Sequence, residues 1–264
     1  MSEQASYWDT VGEVWQRTHS QALWRVHSDA VYSALFAVWL PTVPVSRVLK
    51  TDLFDEACSA GLVPLLASRA DHVVGIDLSM VTTAAALRQY PDLKADQCDV
   101  RCLPFADGTF DVVVSNSTLD HFGTLTDLVN SLVELCRVLR TGGELLLSLD
   151  NLANPAIALR NVLPRRLVRR MRIFVPYDVG ATCTPGLMQR LLTETGFDIL
   201  DVRAVMHHPS LIAVAAARLL QHHGSHEMQQ RYLDVLASLE RLSQWPTRFV
   251  TGHYVAARAR KRSG

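Results

Sequence analysis

The sequence is short of the features that would assign it to a special environment. No run approaches the roughly 18 to 20 consecutive apolar residues of a bilayer span, and the first residues lack the basic-then-apolar layout of a secretory signal. A cytoplasmic chain without a membrane span is therefore expected. Excess charge is absent too: 26 Lys+Arg balance 26 Asp+Glu, so there is no overall basic footprint for nucleic acid. Cysteine is sparse, at 58, 98, 102, 136 and 183, odd in number and without CxxC spacing. That pattern fits reduced, mostly buried thiols better than disulfides or a zinc site. Lysine occurs only at 50, 94 and 261. No internal repeat is visible. What remains is a 264-residue chain, 48% hydrophobic and 20% charged, which excludes disorder and fibrous architecture.

Short β-branched runs alternate with amphipathic stretches between about residues 48 and 148, the pattern of βαβ units on a parallel sheet. Strands are expected at 48–54, 72–77, 95–99, 110–115 and 144–149, each continuous and apolar as a strand covered on both faces should be. Helices fit the gaps at 61–68, 81–90 and 125–139, the last with Gly142 and Gly143 as its C-terminal stop. Two helical stretches, 7–18 and 22–40, precede this block. After it come a helical, arginine-rich segment at 154–176, a helix at 184–195 stopped by Gly196, a strand at 197–205, helices at 210–222 and 227–242, and a strand at 248–259. Basic residues 258–262 read as a solvated tail.

In an open parallel sheet, ligands bind outside the carboxyl ends of the strands. The residues just past each run are Asp55-Glu56-Ala57-Cys58-Ser59-Ala60-Gly61, then Asp77, Asp99, and Ser115-Asn116-Ser117-Thr118-Leu119-Asp120-His121. Three of these groups present an acid at successive strand ends. A carboxylate there can accept both hydroxyls of a ribose, as nucleotide folds do with an acid about 20 residues beyond their first loop; Asp77 stands 22 residues beyond Asp55. The alternative for Asp77 and Asp99 is capping of the helix that follows.

At this point the chain resembles the class I S-adenosylmethionine-dependent methyltransferases of the small-molecule type, over roughly residues 45–150. The resemblance rests on Asp99, Leu103-Pro104-Phe105, Asp107-Gly108, Phe110-Asp111-Val112-Val113-Val114 and Arg137-Val138-Leu139-Arg140-Thr141-Gly142-Gly143. Thr184-Pro185 through Gly196-Phe197 and Gly252-His253-Tyr254-Val255-Ala256 resemble the family's later elements. It implies an α/β fold: a Rossmann-like seven-stranded sheet, order 3-2-1-4-5-7-6, with strand seven antiparallel. The implied organisation is an N-terminal helical lid at 1–44, a cofactor-binding core at 45–150, and completion of the sheet with helical cap insertions at 151–264, one domain overall.

The resemblance also implies a cradle for S-adenosyl-L-methionine. Asp77 would hold the ribose hydroxyls, Asp99 and the Val100 backbone the adenine amino group, with Leu78 and Val100 sandwiching the ring. Asp55, Ala57, Ser59 and Gly61 would wrap the methionine part, and Ser115, Asn116 and Ser117 would supply contacts near the sulfonium. The departure lies at Ala57 and Ser59, where the family has glycine, so that a β-carbon stands where the backbone must turn tightly. Asp52 competes with Asp55 as the acid ending the first strand.

Methyl transfer gains mainly from proximity and orientation, so no nucleophilic triad or metal is expected. For a hydroxyl acceptor, His121 is the candidate general base, against the alternative that it packs at a helix start. Arg160, Arg165, Arg166, Arg169, Arg170 and Arg172 read as a solvated helix face or an anion-binding segment. His207-His208 and His222-His223 with His226 read as helix-end turns rather than metal ligands. Tyr7, Trp8, Trp15, Trp24 and His27 mark the N-terminal helices as core or lid. The insertion at 206–245, with its apolar stretch 211–220, is expected to pack on the domain or on a second copy in a homodimer.

The function these readings imply is a methyltransferase acting on a small molecule, O-methylation foremost, in natural-product or glycan biosynthesis. The alternative is a protein of the same fold without methyl transfer, prompted by Ala57 and Ser59. Nucleic-acid methylation lacks its Asn/Asp-Pro-Pro-aromatic motif, since Asn116-Ser117-Thr118-Leu119 stands there.

Overall fold

The computed structural model describes residues 3–18, 22–163 and 180–263. Seven strands form one sheet in the order β3-β2-β1-β4-β5-β7-β6. They are β1 (Val45–Lys50), β2 (Ala70–Asp77), β3 (Lys94–Gln97), β4 (Phe110–Asn116), β5 (Leu139–Asp150), β6 (Phe197–Val205) and β7 (Tyr254–Lys261). The first five run parallel; β7 runs antiparallel to both β5 and β6. The order reverses between β1 and β4, which opens a crevice at their carboxyl ends.

Strand periodicity builds two cores. Leu49, Val113, Leu145 and Leu147 point to the face covered by α6 (Leu125–Val138) and α8 (Pro185–Glu194), meeting Leu128, Leu132, Leu135, Met188 and Leu192. The alternate residues Val48, Val112, Val114 and Leu146 meet Tyr32, Leu35, Phe36 and Trp39 of α2 (Ala22–Trp39). Both faces are covered, which is why the strands are apolar without alternation. The helix α1 (Glu3–Thr18) precedes α2. The short helices α3 (Phe54–Cys58) and α4 (Val63–Ala67) follow β1, and α5 (Met80–Gln89) follows β2. Side-chain caps start several helices: Ser79 accepts from the Thr82 amide, Thr124 from Asp127 and Thr184 from Leu187.

The completing region holds α7 (Pro155–Val162), α9 (Ser210–His223), α10 (His226–Leu239) and α11 (Arg248–Thr251). Both α9 and α10 pack on α2. Ala213 and Ala217 are buried there, whereas Ile212 and Leu219 stay exposed. No described helix is long and apolar enough to cross a membrane.

Several expectations need correction. Helix α6 ends at Val138, and Gly142, at φ +73°, sits inside β5 where its register against β4 shifts, so the two glycines serve the strand rather than a helix stop. Residues 248–251 are helical and β7 continues to Lys261. Its basic end is not a solvated tail, because Arg258 and Arg260 both bind Glu144 and Lys261 donates to the Leu139 carbonyl. Arg160 turns inward, buried, onto Asp150 at 2.6 Å rather than forming a solvated face; Arg165, Arg166, Arg169, Arg170 and Arg172 lie outside the described residues. All five cysteines are free, but only Cys183 is buried and Cys102 is exposed.

Candidate functional site

A cleft enclosing about 1030 Å³ of atom-free space, counting its open mouth, lies over the carboxyl ends of β1, β2, β3 and β4. The sheet supplies its floor: Thr51 and Asp52 after β1, Asp77 and Leu78 after β2, Asp99 and Val100 after β3, Asn116 and Ser117 at the end of β4. Its roof comes from the N-terminal helices, through Gln4 and Trp8 of α1 and Trp24, Arg25, Ser28 and Tyr32 of α2.

Asp77 is the most constrained acid of the floor. Its Oδ2 accepts the Leu53 amide at 3.0 Å and its Oδ1 the Ser79 amide at 2.7 Å. The N-cap of α5 is Ser79, not Asp77. Ser79 Oγ in turn donates to Asp9 of α1, tying the roof to the floor. Burial, and then the neighbouring charge of Asp52, pushes the Asp77 carboxyl up to about 8. Two amides therefore hold a carboxylate that carries an uncompensated cost of burial and faces the cleft.

Asp99 also lines the cleft but is already engaged. Arg101 grips both its oxygens through Nε and Nη2, and reaches Asp127 and Gln4 while stacking on Phe122. Burial works to raise the Asp99 carboxyl, yet hydrogen bonds from the Arg101 side chain and amide bring it below the usual range. Asp55 is engaged as well: Arg25 of α2, held between Trp15 and Phe54 at 4.7 Å from each ring, forms an ion pair with one oxygen, and Asn116 Nδ2 donates to the other at 3.2 Å. The side-chain oxygen of Asn116, Oδ1, buried, has no hydrogen-bond partner among the described residues.

The loop after β1 departs from the expected cradle. Instead of a tight glycine turn, residues 54–58 wind into α3, started by the Asp52 carboxylate accepting the Phe54 amide. The turn carries Ala57, Ser59 and Gly61 away from the cleft wall. Ala57 faces a separate shallow pocket beside Trp15 and Cys58. Ser59 is extended, at φ −152°, so its β-carbon is unstrained, and its hydroxyl donates to the Asp55 carbonyl. Gly61 is left-handed, at φ +58°, and a β-carbon there would stand 2.4 Å from Glu56 Oε1. Its glycine serves the protein interior: Glu56, fully buried, pairs with fully buried Lys50 at 2.9 Å and accepts the Leu62 amide. Ser115 lies beneath the floor, accepting from the Thr51 hydroxyl.

His121 sits at the rim in a 3-10 turn, Leu119–His121, its ring edge-on to Trp8 at 4.9 Å. Its neighbour Asp120 is turned away into the interior, where its Oδ2 accepts the Asp150 amide. Sequence reasoning missed Arg25, Tyr32, Phe54 and Tyr254 in the cleft wall; none carries a local signal, and each arrives through tertiary packing. His207 bonds Thr251 and the Ala204 carbonyl, and no group of three or more metal-ligating side chains occurs among the described residues.

Comparison with known proteins agrees with this architecture. Residues 54–147 match the family described as methyltransferase domain. The chain is 33% identical over 171 residues to a probable S-adenosylmethionine-dependent methyltransferase of Mycolicibacterium smegmatis, covering 64% of this chain and 61% of that one. It is 32% identical over 189 residues to the malonyl-[acyl-carrier protein] O-methyltransferase of Erwinia billingiae, covering 67% and 66%. The chain thus spans just under two thirds of the length of these curated relatives. The crystal structure of a [4+2]-cyclase, SpnF, superposes with a TM-score of 0.58 at 20% identity, covering 88% of this chain and 80% of that one. Sheet order, crevice and sequence matches agree: the chain belongs to the class I S-adenosylmethionine-dependent methyltransferase family.

Proposed function

We propose that this protein binds S-adenosyl-L-methionine in the cleft and transfers its methyl group to a small molecule, with a hydroxyl oxygen as the acceptor atom. The observation that carries this reading is Asp77, a buried carboxylate aimed at the crevice and held by two backbone amides. Hydroxyl donors from a ribose would complete its coordination and favour its ionised form. The cofactor, when bound, supplies an electrophilic methyl group on a sulfonium. Asp52, Asp55 and Asp77 give the floor an acidic character suited to that cation and to an amino group, for which the free Asn116 Oδ1 is a ready acceptor. Asp99 and Val100 would meet the adenine edge, with Leu78 across the ring.

α1 and α2 act as a lid in this reading, since Trp8, Trp24, Arg25 and Tyr32 close the cleft from above. His121 at the rim is one candidate base for a hydroxyl acceptor. The O-methyltransferase relative favours oxygen as the acceptor atom, and a biosynthetic role in natural-product or glycan chemistry follows as the working assignment. A cytoplasmic location belongs to the same reading. Exposed Ile212 and Leu219 on α9 suit a second copy of the chain in a homodimer.

A second reading, ligand binding or another reaction on the same fold, is favoured by the α3 turn and by the Arg25–Asp55 ion pair where the methionine end of the cofactor would lie. A cyclase of this fold illustrates the possibility. Calorimetric titration with S-adenosylhomocysteine separates the readings. Binding that is lost in Asp77→Ala supports the cradle, whereas no binding by the folded chain makes the second reading the working one.

A further inference from the structure

Behind the cleft lining, beside His121 in the chain, lies a carboxylate that is not part of the cleft wall. Asp120 is fully buried at the start of the 3-10 turn. Its Oδ2 accepts the Asp150 amide at 2.8 Å and the Ser117 hydroxyl at 3.3 Å, and its Oδ1 has no hydrogen-bond partner among the described residues. Among the described residues the guanidinium nearby is that of Arg160 of α7, and it is taken by Asp150. A buried, unpaired carboxylate is costly and is a feature expected at functional sites. Ser117 is unusual as well. It lines the cleft immediately after β4 and holds φ at +52°, a left-handed conformation that residues with a side chain rarely adopt and that clusters at active sites. That geometry sends its hydroxyl inward to Asp120.

We propose that Ser117 and Asp120 form a proton relay for a neutral hydroxyl acceptor, Ser117 as the catalytic residue touching the acceptor and Asp120 as the proton sink behind it. The proposal rests on the methyltransferase reading and adds the class of acceptor. Ser117 Oγ donates to Asp120, so its lone pairs are left to accept the acceptor's O–H. As the acceptor oxygen forms its bond to the methyl carbon and the carbon–sulfur bond breaks, its proton passes to Ser117 Oγ while the serine proton passes to Asp120 Oδ2. Charge balances: the sulfonium becomes a thioether, the alcohol or phenol an ether, and the carboxylate a carboxylic acid.

The surroundings suit that task. Burial, then the charge of Asp150, pushes the Asp120 carboxyl up to about 6, against opposing contributions from His121 and Arg160. Among the described residues, the other groups facing this site are Tyr32 of α2, bonded to Ser148, the Cys183 thiol, and His253, 3.5 Å from Asp150. At neutral pH the relay is therefore ionised and ready to accept, yet close enough in pKa to hold the proton briefly.

The test uses the whole chain. Infrared titration without ligand should show protonated-carboxyl absorption with a midpoint near pH 6, to which Asp29 also contributes, and the difference between the unaltered chain and Asp120→Asn should isolate the Asp120 band. The midpoint should rise in Ser117→Ala, because a donor favouring the ionised form is gone. S-adenosylhomocysteine affinity should be unchanged in Asp120→Asn, whose side chain lies outside the cleft lining. Methyl transfer to a panel of phenols and simple alcohols should lose about 100-fold or more in kcat with KM retained, and lose its rise through pH 6. A midpoint unmoved by Ser117→Ala, or transfer by Asp120→Asn as fast as by the unaltered chain, overturns the relay alone. Failure of the unaltered chain to bind S-adenosylhomocysteine overturns the methyltransferase reading and the relay with it. Should Asp120→Asn not fold, Ser117→Ala and Ser117→Gly carry the test, the latter removing the hydroxyl while relieving the left-handed backbone.

Discussion

Glu56 and Asp77 are two buried acids on the same half of the sheet, and they are treated in opposite ways. Glu56 is paired with Lys50, sealed from the cleft and backed by the Leu62 amide. Asp77 receives only backbone amides, stands beside another acid and opens onto the crevice. A paired buried charge is internal structure, holding α3 against β1. An acid left without a cation at a strand end is a vacancy for a ligand's donors. The contrast also bears on the altered loop, whose left-handed glycine, Gly61, makes room for Glu56 rather than for a ligand.

The largest effect should come from breaking the internal pair. Lys50→Met leaves Glu56 buried and unpaired, and should cost about 3–5 kcal/mol in denaturant unfolding. Lys50→Met combined with Glu56→Gln should recover much of it; equal losses in single and double variants would show that the pair is not the source. Next comes the open acid. Asp77→Ala should cost some stability by leaving the Leu53 and Ser79 amides without their acceptor, and in the folded chain should weaken S-adenosylhomocysteine binding tenfold or more, since hydrogen bonds to a charged group contribute about 1.5–3 kcal/mol. Unchanged affinity would remove Asp77 from the site. Gly61→Ala should destabilise by about 1–2 kcal/mol from the left-handed backbone, plus the displacement of Glu56, without a direct effect on ligand contacts.

The smallest effect is one of pH. The carboxyls of Asp77, at about 8, and of Asp29 and Asp120, at about 6, are all raised above 3.8 in the fold. The stability they contribute is present below pH 3.8 and is lost as pH rises through each folded value. His208 has the opposite influence: burial, then its histidine neighbours, lowers it to about 3, so its contribution is lost as pH falls below 6.5. Tm should therefore decline between pH 6.5 and pH 8, and Asp77→Asn should flatten that decline. A wild-type Tm that rises over this interval would show that Asp77 is ionised in the free protein.

Much of the sheet was legible because its strands are buried on both faces, so the apolar runs at 72–77, 110–115 and 197–205 nearly coincide with β2, β4 and β6. The acids at strand ends were legible for a related reason: the topology of a parallel sheet sends those positions to one edge. Asp77 and Asp99 reach the cleft accordingly, although Asp99 shares its carboxylate with Arg101. The loop after β1 was not legible. Whether residues 54–61 turn on glycines or wind into a helix depends on Lys50 at the end of β1 meeting Glu56 and on Arg25 of α2 meeting Asp55, contacts that no hydrophobic periodicity records. Arg160 looked like part of a solvated face and Arg258 and Arg260 like part of a solvated tail for the same reason, since their partners Asp150 and Glu144 lie on another element, β5.

Local periodicity and turn chemistry thus determined by themselves the run of elements, the parallel sheet and the edge where a ligand sits. They act between neighbours in sequence, and so survive in the sequence as patterns. Only the tertiary structure decided which charges are spent on one another and which face the cleft. Pairing of a buried charge is a property of two side chains and the low-dielectric space that the fold closes around them, and neither propensity nor periodicity records it.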